Sequence, residues 1–591
     1  MRIPLAIAIV VLVAAPTIEA GGLISGDAAA TPSGRLRAVF AGYWDDELRR
    51  DPLQATYVGE HRYDDRMPDP SVEARTALIA RHRATRDALR ALGTAGLSAV
   101  ERIDRQVLLF LLDDLLDGEA FRDFLIPMTQ QEGLHLQFAQ AVNFHPTGTV
   151  GDLENYVRRL RAFPATVDAT IVVMRRGMAE KRVPPRVTMA KVVPQLRALA
   201  TPRPEDSPHH GIVARLPKDW PAADRDRLAG EVRRAIAESV TPAYARLADF
   251  LDREYLPACR ESIGLSDAPE GMAHYRWRVR SFTTTDLTPE AIHEIGLAEI
   301  AKVRAGMDEV RKSVGFAGDL DAFLSHIKTD PKFRNRDESD ILARYGTILR
   351  DVDAKLPLLF GRLPRADYAL RAIEAYRAKA AAAGYYYPFP EDGSRPGYFY
   401  VNTTEPTSRT TYSMQALAYH EAVPGHHLQF ALTVEMAGRP AFRKNGYVPA
   451  FSEGWGLYSE GLPAEVGLYT DPYAVYGRLE YNAWRCARLV VDTGMHAQGW
   501  SRDRAIRYLD ENTAVPKVEI ESEIDRYIAW PAQALAYKVG ELKIRELRAK
   551  AEASLGPRFD VRAFHDRLLE QGSLPLGVLE AWMEGEPGRK E

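Results

Sequence analysis

The chain has 591 residues, enough to bury a large core and to form two or more subdomains. Lysine and arginine number 77 against 81 acidic residues, a net charge of −4, so no basic surface argues for nucleic-acid binding. Hydrophobic content of 46% is ordinary for a globular protein in water.

The first twenty residues read as a signal peptide. Arg2 precedes an apolar run from Ile3 to Ala15, followed by Pro16, Thr17 and the small-residue exit Glu19-Ala20-Gly21-Gly22. The run is too short to span a bilayer comfortably, although an uncleaved anchor is the alternative. No cysteine follows the expected cut, which argues against lipid attachment there. The reading is an exported, periplasmic protein that starts near Gly21 and keeps no stable membrane anchor. Cys259 and Cys486 are the two cysteines, in no metal or redox spacing, and are expected to be buried free thiols.

Gly21 to Gly34 is small, polar and expected to be disordered. From Leu36 the pattern is helical almost without relief. Leu36, Val39, Phe40, Tyr43 and Trp44 share one face, as do Ile103, Val107, Leu108, Leu111 and Leu112. Further helices are predicted over residues 153–163, 166–179 and 225–255, with proline-rich breaks near 184, 202–208 and 217–221. His145 and the pair His209-His210 are expected in loops, the pair in a solvated one. Thr288 and Pro289 open another helix as cap and first residue. A loose boundary near 270 separates an N-terminal helical region, 21–270, from a C-terminal region, 271–591. Between Ala383 and Thr404, aromatic and β-branched residues bounded by Gly and Pro, with a turn at Asp392-Gly393, predict short strands. These could pair with an extended peptide or simply cap the helical body.

The most informative stretch follows. Tyr419 to Gln429 holds three of the fourteen histidines, with Glu421 directly after His420. A histidine that binds metal and a neighbouring glutamate that handles a proton open the zinc-hydrolase helix motif HExxH. The second histidine should fall four residues on, but that position is Pro424. Proline breaks the helical ladder and Gly425 tolerates almost any backbone conformation, so a two-residue bulge could return His426 to the i+4 place. His427 is the alternative second ligand. In an unbroken helix it lies about 20° from His420 but about 10.5 Å along the axis.

A catalytic zinc needs a third protein ligand, and Glu453 in Phe451-Ser452-Glu453-Gly454-Trp455 is the candidate. Glu460, seven residues on, shares its helical face, so one of the two could ligate the metal while the other orients a histidine ligand or stays structural. Arg488 and Asp492 have the spacing of a helix ion pair. Alternatively, Arg488 could grip a substrate carboxylate and His496 donate to a developing oxyanion. Tyr537, near the start of a helix opened by Pro531, could also donate to the transition state.

These motifs together resemble a large bacterial family, domain of unknown function 885. They are Tyr419-His420-Glu421 with Pro424-Gly425-His426, Glu453-Gly454-Trp455 with Glu460, Arg488-Leu489-Val490-Val491-Asp492-Thr493-Gly494 with His496, and Pro531 through Lys538. The resemblance implies a mainly α-helical, zincin-like peptidase fold, to which the strand reading of residues 383–404 adds a small β-sheet beside the metal helix. It also implies one Zn2+ per chain on His420, His426 and Glu453, with Glu421 as base. The expected function is an exported zinc metallopeptidase acting on short peptides. A metal-dependent hydrolase of another amide or ester, or an inactive peptide-binding protein, are the alternatives.

Overall fold

The computed structural model describes residues 31–373, 378, 382–389 and 395–585. The leader at 1–20, the stretch up to Ala30 and the Asp392-Gly393 turn lie outside the described residues. The chain is mainly α-helical, with one small three-stranded sheet. Among the described residues, no helix is long and apolar enough to cross a membrane.

Helix α1 (Pro32–Arg50) starts where the Thr31 hydroxyl accepts from Gly34 N, and it buries Leu36, Phe40 and Leu48. Helices α2 (Val72–Leu92) and α3 (Ala99–Gly118) follow, the latter opened by a reciprocal Ser98–Glu101 capping box. The helix pair expected around Pro164 is a single helix, α4 (Val150–Ala179). Interior proline costs about 3 kcal/mol. Here the apolar stripe continues across it through the fully buried Phe163 and Val167, and that packing outweighs the cost.

Leu53 and buried residues between Met128 and Cys259 build an apolar core of their own. The first three helices do otherwise. Leu36, Phe40, Ile103 and Leu108 join a core that includes Tyr275, Phe399, Trp455 and Leu579, so the start of the described chain packs on its second half. His209, expected in a solvated loop, is fully buried in a short 3-10 turn with its ring against the Tyr244 hydroxyl. His145 sits in a loop as expected but is also buried, bonded to the Asp152 carbonyl. The chemical signal for burial was the aromatic set around them, Phe138, Tyr156 and Tyr244, which is dispersed in sequence. Cys259 and Cys486 are buried and unpaired.

The elements that position the site come from the second half. Helix α5 (Gly271–Thr283) and α6 (Pro289–Ser313) precede the sheet, and Thr288 caps α6. Strands β1 (Tyr368–Ala372), β2 (Gly384–Tyr387) and β3 (Gly397–Val401) pair in the order β1-β3-β2, with β1 parallel and β2 antiparallel to β3. Phe399 and Val401 face the core, and β2 lies at the sheet's edge. Helices α7 (Met414–Glu421), α8 (His426–Val434), α9 (Pro449–Ser459), α10 (Pro472–Ala497), α11 (Lys517–Ala529) and α12 (Ala536–Leu555) complete the frame. Helices α9 and α12 cross with their backbones in contact. A Cβ on Gly454 would lie 2.5 Å from Gly540 C, and one on Gly540 would lie 1.8 Å from Ala450 O. Only glycines permit that approach, and Tyr537 of α12 is near enough to feel the charge of Glu453 of α9.

Candidate metal centre

Pro424 has no amide hydrogen to continue the helix that carries His420. Helix α7 ends at Glu421, the chain turns through Ala422 to Gly425, and α8 restarts at His426. The expected bulge is thus a complete break between two helices. Gly425 packs so tightly into the turn that a Cβ there would lie 1.9 Å from the His420 carbonyl oxygen. The buried indole of Trp455 donates to Pro424 O at 3.0 Å and pins the link to α9.

This geometry brings His420, His426 and Glu453 together, with one donor atom from each lying within 4.8 Å of the others. Both imidazole Nε2 atoms are 3.6 Å from Glu453 Oε2. A zinc with bonds of about 2.1 Å at tetrahedral angles spaces its ligands about 3.4 Å apart, so the donor set fits that ion in both chemistry and spacing. Among the described residues, no other group of three His, Cys, Asp or Glu converges in this way.

Each ligand has a supporting contact. His420 Nδ1 lies 2.8 Å from Glu460 Oε1, which leaves Nε2 for the centre. Glu460 in turn lies 3.7 Å from Arg485. The Tyr447 hydroxyl donates to Glu453 Oε1 at 2.6 Å, on the oxygen turned away from the histidines. His426 Nδ1 lies 3.4 Å from Gln429 Oε1. Burial alone would lower the basicity of His420, but the Glu453 and Glu460 carboxylates overcome it and push its pKa up to about 9. Burial would likewise raise Glu453, and the two imidazoles hold it well below the usual carboxylate range.

Glu421 points to the sheet edge, where its Oε2 accepts the Tyr386 amide of β2 at 2.8 Å. Tyr386 also reaches His427, its hydroxyl 3.0 Å from Nδ1. His427 Nε2 meets the Ala366 carbonyl at 3.1 Å, so both of its ring nitrogens are engaged away from the centre. Burial pulls its pKa down to about 4. His426, not His427, faces Glu453.

The remaining candidates separate. The Tyr537 ring lies 6.3 Å from the His420 ring, at the centre. The Arg488 guanidinium sits 4.5 Å over the Tyr537 ring and donates to Tyr527 and Glu523. It does not pair with Asp492 as the spacing suggested. Asp492 instead accepts from the Tyr275 hydroxyl and the Ala532 amide, and burial pushes its carboxyl up to about 7. His496 does not reach the centre. Its Nδ1 accepts from Leu265 N and its Nε2 meets Tyr527 O, so both nitrogens tie backbone segments together. Burial pulls it down to about 3, which keeps it neutral. Tyr447, Tyr386 and Gln429 had gone unnoticed as site residues. Tyr447 and Gln429 lie close to the motifs in sequence, but Tyr386 comes from a distant strand, and the roles of all three depend on how strand and helices pack.

Known proteins place this chain as follows. No curated protein matches it. A crystal structure described as a "putative lipoprotein" from Colwellia psychrerythraea is similar with a TM-score of 0.90 and 26% identity, covering 95% of this chain and 100% of the other. A second, a "putative lipoprotein of unknown function" from Shewanella oneidensis, superposes with a TM-score of 0.71 at 18% identity over 93% and 99% of the two chains, a likeness of fold. Residues 52–583 match the family described as bacterial protein of unknown function (DUF885), and the chain belongs to that family.

Proposed function

We propose that the protein is an exported zinc metallopeptidase of the zincin type that hydrolyses short peptides. The observation that carries this reading is the convergence of His420, His426 and Glu453, with Glu421 directly after His420 in the chain. Export is supported by the leader-like N-terminus and by the description of the Colwellia relative as a lipoprotein.

His420, His426 and Glu453 would hold the ion, whose chemistry when bound is to polarise a carbonyl and acidify a water. Glu421, fixed by the Tyr386 amide, accepts the water's proton and passes it to the leaving amine. Glu460 keeps His420 in the tautomer that leaves Nε2 free. The Tyr537 hydroxyl donates to the carbonyl oxygen as negative charge gathers there. Strand β2 lies at the edge of the sheet beside the centre, with its Tyr386 amide held by Glu421.

The test is a panel of quenched fluorescent peptides offered to the zinc-loaded protein and to Glu421→Gln. The reading requires turnover by the wild type, and a loss of about 10²- to 10⁴-fold in the variant with zinc content unchanged. Turnover that survives the substitution, or none on any peptide, removes it.

A further inference from the structure

The charges beside the metal centre do not balance. Glu523 of α11 accepts from two guanidinium groups at once. Its Oε2 takes Arg488 Nη2 at 3.0 Å and Arg526 Nη2 at 2.9 Å, while Oε1 takes Arg526 Nε at 3.1 Å. The other described groups nearby do not supply a second anion. Gln533, which accepts from Arg526 Nη1, is neutral, and Asp492 is turned to Tyr275 and Ala532. Glu519, one turn before Glu523, has its own cation in Arg409 at 3.6 Å. One positive charge remains. Arg488 Nη1 has no hydrogen-bond partner among the described residues although its side chain is only 5% exposed. Arg526, at 14% exposure, gives the pair contact with solvent.

The position of this charge is informative. Arg488 stacks on Tyr537, and Tyr537 stacks near His420, so two ring contacts separate the guanidinium from a metal ligand. Glu523 fixes the planes of both guanidinium groups, and fixed forks of N–H donors match a planar carboxylate. A single excess charge suits a monoanion.

We infer that Arg526 and Arg488 form a subsite for the terminal α-carboxylate of the substrate, so that the protein acts on the C-terminal end of short peptides rather than within longer chains. The subsite rests on the peptidase reading and narrows it. A carboxylate held there would take up the unpartnered Nη1 donor and neutralise the excess charge, while Tyr537 marks the path from it to the reacting carbonyl.

Calorimetry on zinc-loaded Glu421→Gln compares a tripeptide free acid with its C-terminal amide. The free acid should bind about 10- to 100-fold more tightly, the worth of charge-assisted hydrogen bonds. Adding Arg526→Gln should erase that preference, with zinc content and thermal midpoint confirming that the variant is folded. Arg526→Lys, which keeps the charge without the fork, should restore part of it. Equal binding of acid and amide, or a preference that persists in Arg526→Gln, overturns the subsite. Turnover by the active protein separates the two ideas. Equal cleavage of acid and amide leaves a peptidase without the subsite. Cleavage of neither removes the peptidase reading, while the binding comparison still decides whether a carboxylate is recognised.

Discussion

Gly456 offers a way to disturb the centre without touching any ligand. It faces the His420 ring across the contact between α7 and α9, and a Cβ built there would lie 2.6 Å from Cε1 and 2.8 Å from Nε2. Carbon atoms in contact sit about 3.5–4.0 Å apart, so ring or helix must yield by about 1 Å. The helix has little freedom, because its other side meets the α12 backbone at Gly454. The ring must therefore move, and by several times the roughly 0.2 Å that metal–ligand distances tolerate. Gly456→Ala should lower zinc affinity on the order of 100-fold, the upper end of what disturbing a ligand's support costs. Overpacking should also cost roughly 1–3 kcal/mol of stability. Helix propensity alone would favour the alanine by about 1 kcal/mol, so the loss cannot come from that source. Chelator competition measures the affinity, and thermal unfolding of the metal-free protein measures the stability. A variant that keeps wild-type zinc affinity would refute the packing argument.

Three other substitutions probe the surroundings. Glu460→Gln removes the charge that orients His420 Nδ1, and zinc affinity should fall about 10- to 100-fold by chelator competition; an unchanged affinity would mean that Glu460 is only structural. His496→Ala leaves the Leu265 amide and the Tyr527 carbonyl without partners, so denaturant unfolding should show a loss of about 2–5 kcal/mol with zinc stoichiometry unchanged. A loss of zinc with little loss of stability would instead tie His496 to the centre. Glu480 is pushed by burial from an ordinary 4.5 up to about 7, so the native state holds its proton after the unfolded chain has released it. Its carboxyl therefore costs stability as pH rises from about 5 to 7, on the order of 3 kcal/mol once both states are ionised. Glu480→Gln should raise the thermal midpoint at pH 8 more than at pH 5, and an equal shift at both would contradict this.

The motif around His420 could be read in sequence because its chemistry is compressed into a few residues and its one irregularity, Pro424-Gly425, names its own consequence. Helical periodicity likewise placed Leu36 with Phe40 and Ile103 with Val107 on buried faces. Other features depend on which neighbour a helix face meets, and spacing does not carry that. Arg488 and Asp492 have the spacing of an ion pair, yet this stretch of α10 is buried on every side and each finds a partner on another element. His496 lies one turn beyond Asp492 but points to backbone rather than to the centre. Tyr386 and Tyr447 reach the site from a strand and a loop whose placement only the packed structure fixes. Pro164 misled for a simpler reason, since a local penalty was outweighed by long-range burial.

The central claim is that His420, His426 and Glu453 hold one zinc ion. Elemental analysis of the wild type, His426→Ala and His427→Ala, each purified and then offered zinc, tests it most directly. The account predicts about one zinc per chain in the wild type and in His427→Ala, and a loss of zinc in His426→Ala. A well-folded wild type that takes up no zinc, or a loss confined to His427→Ala, would contradict it.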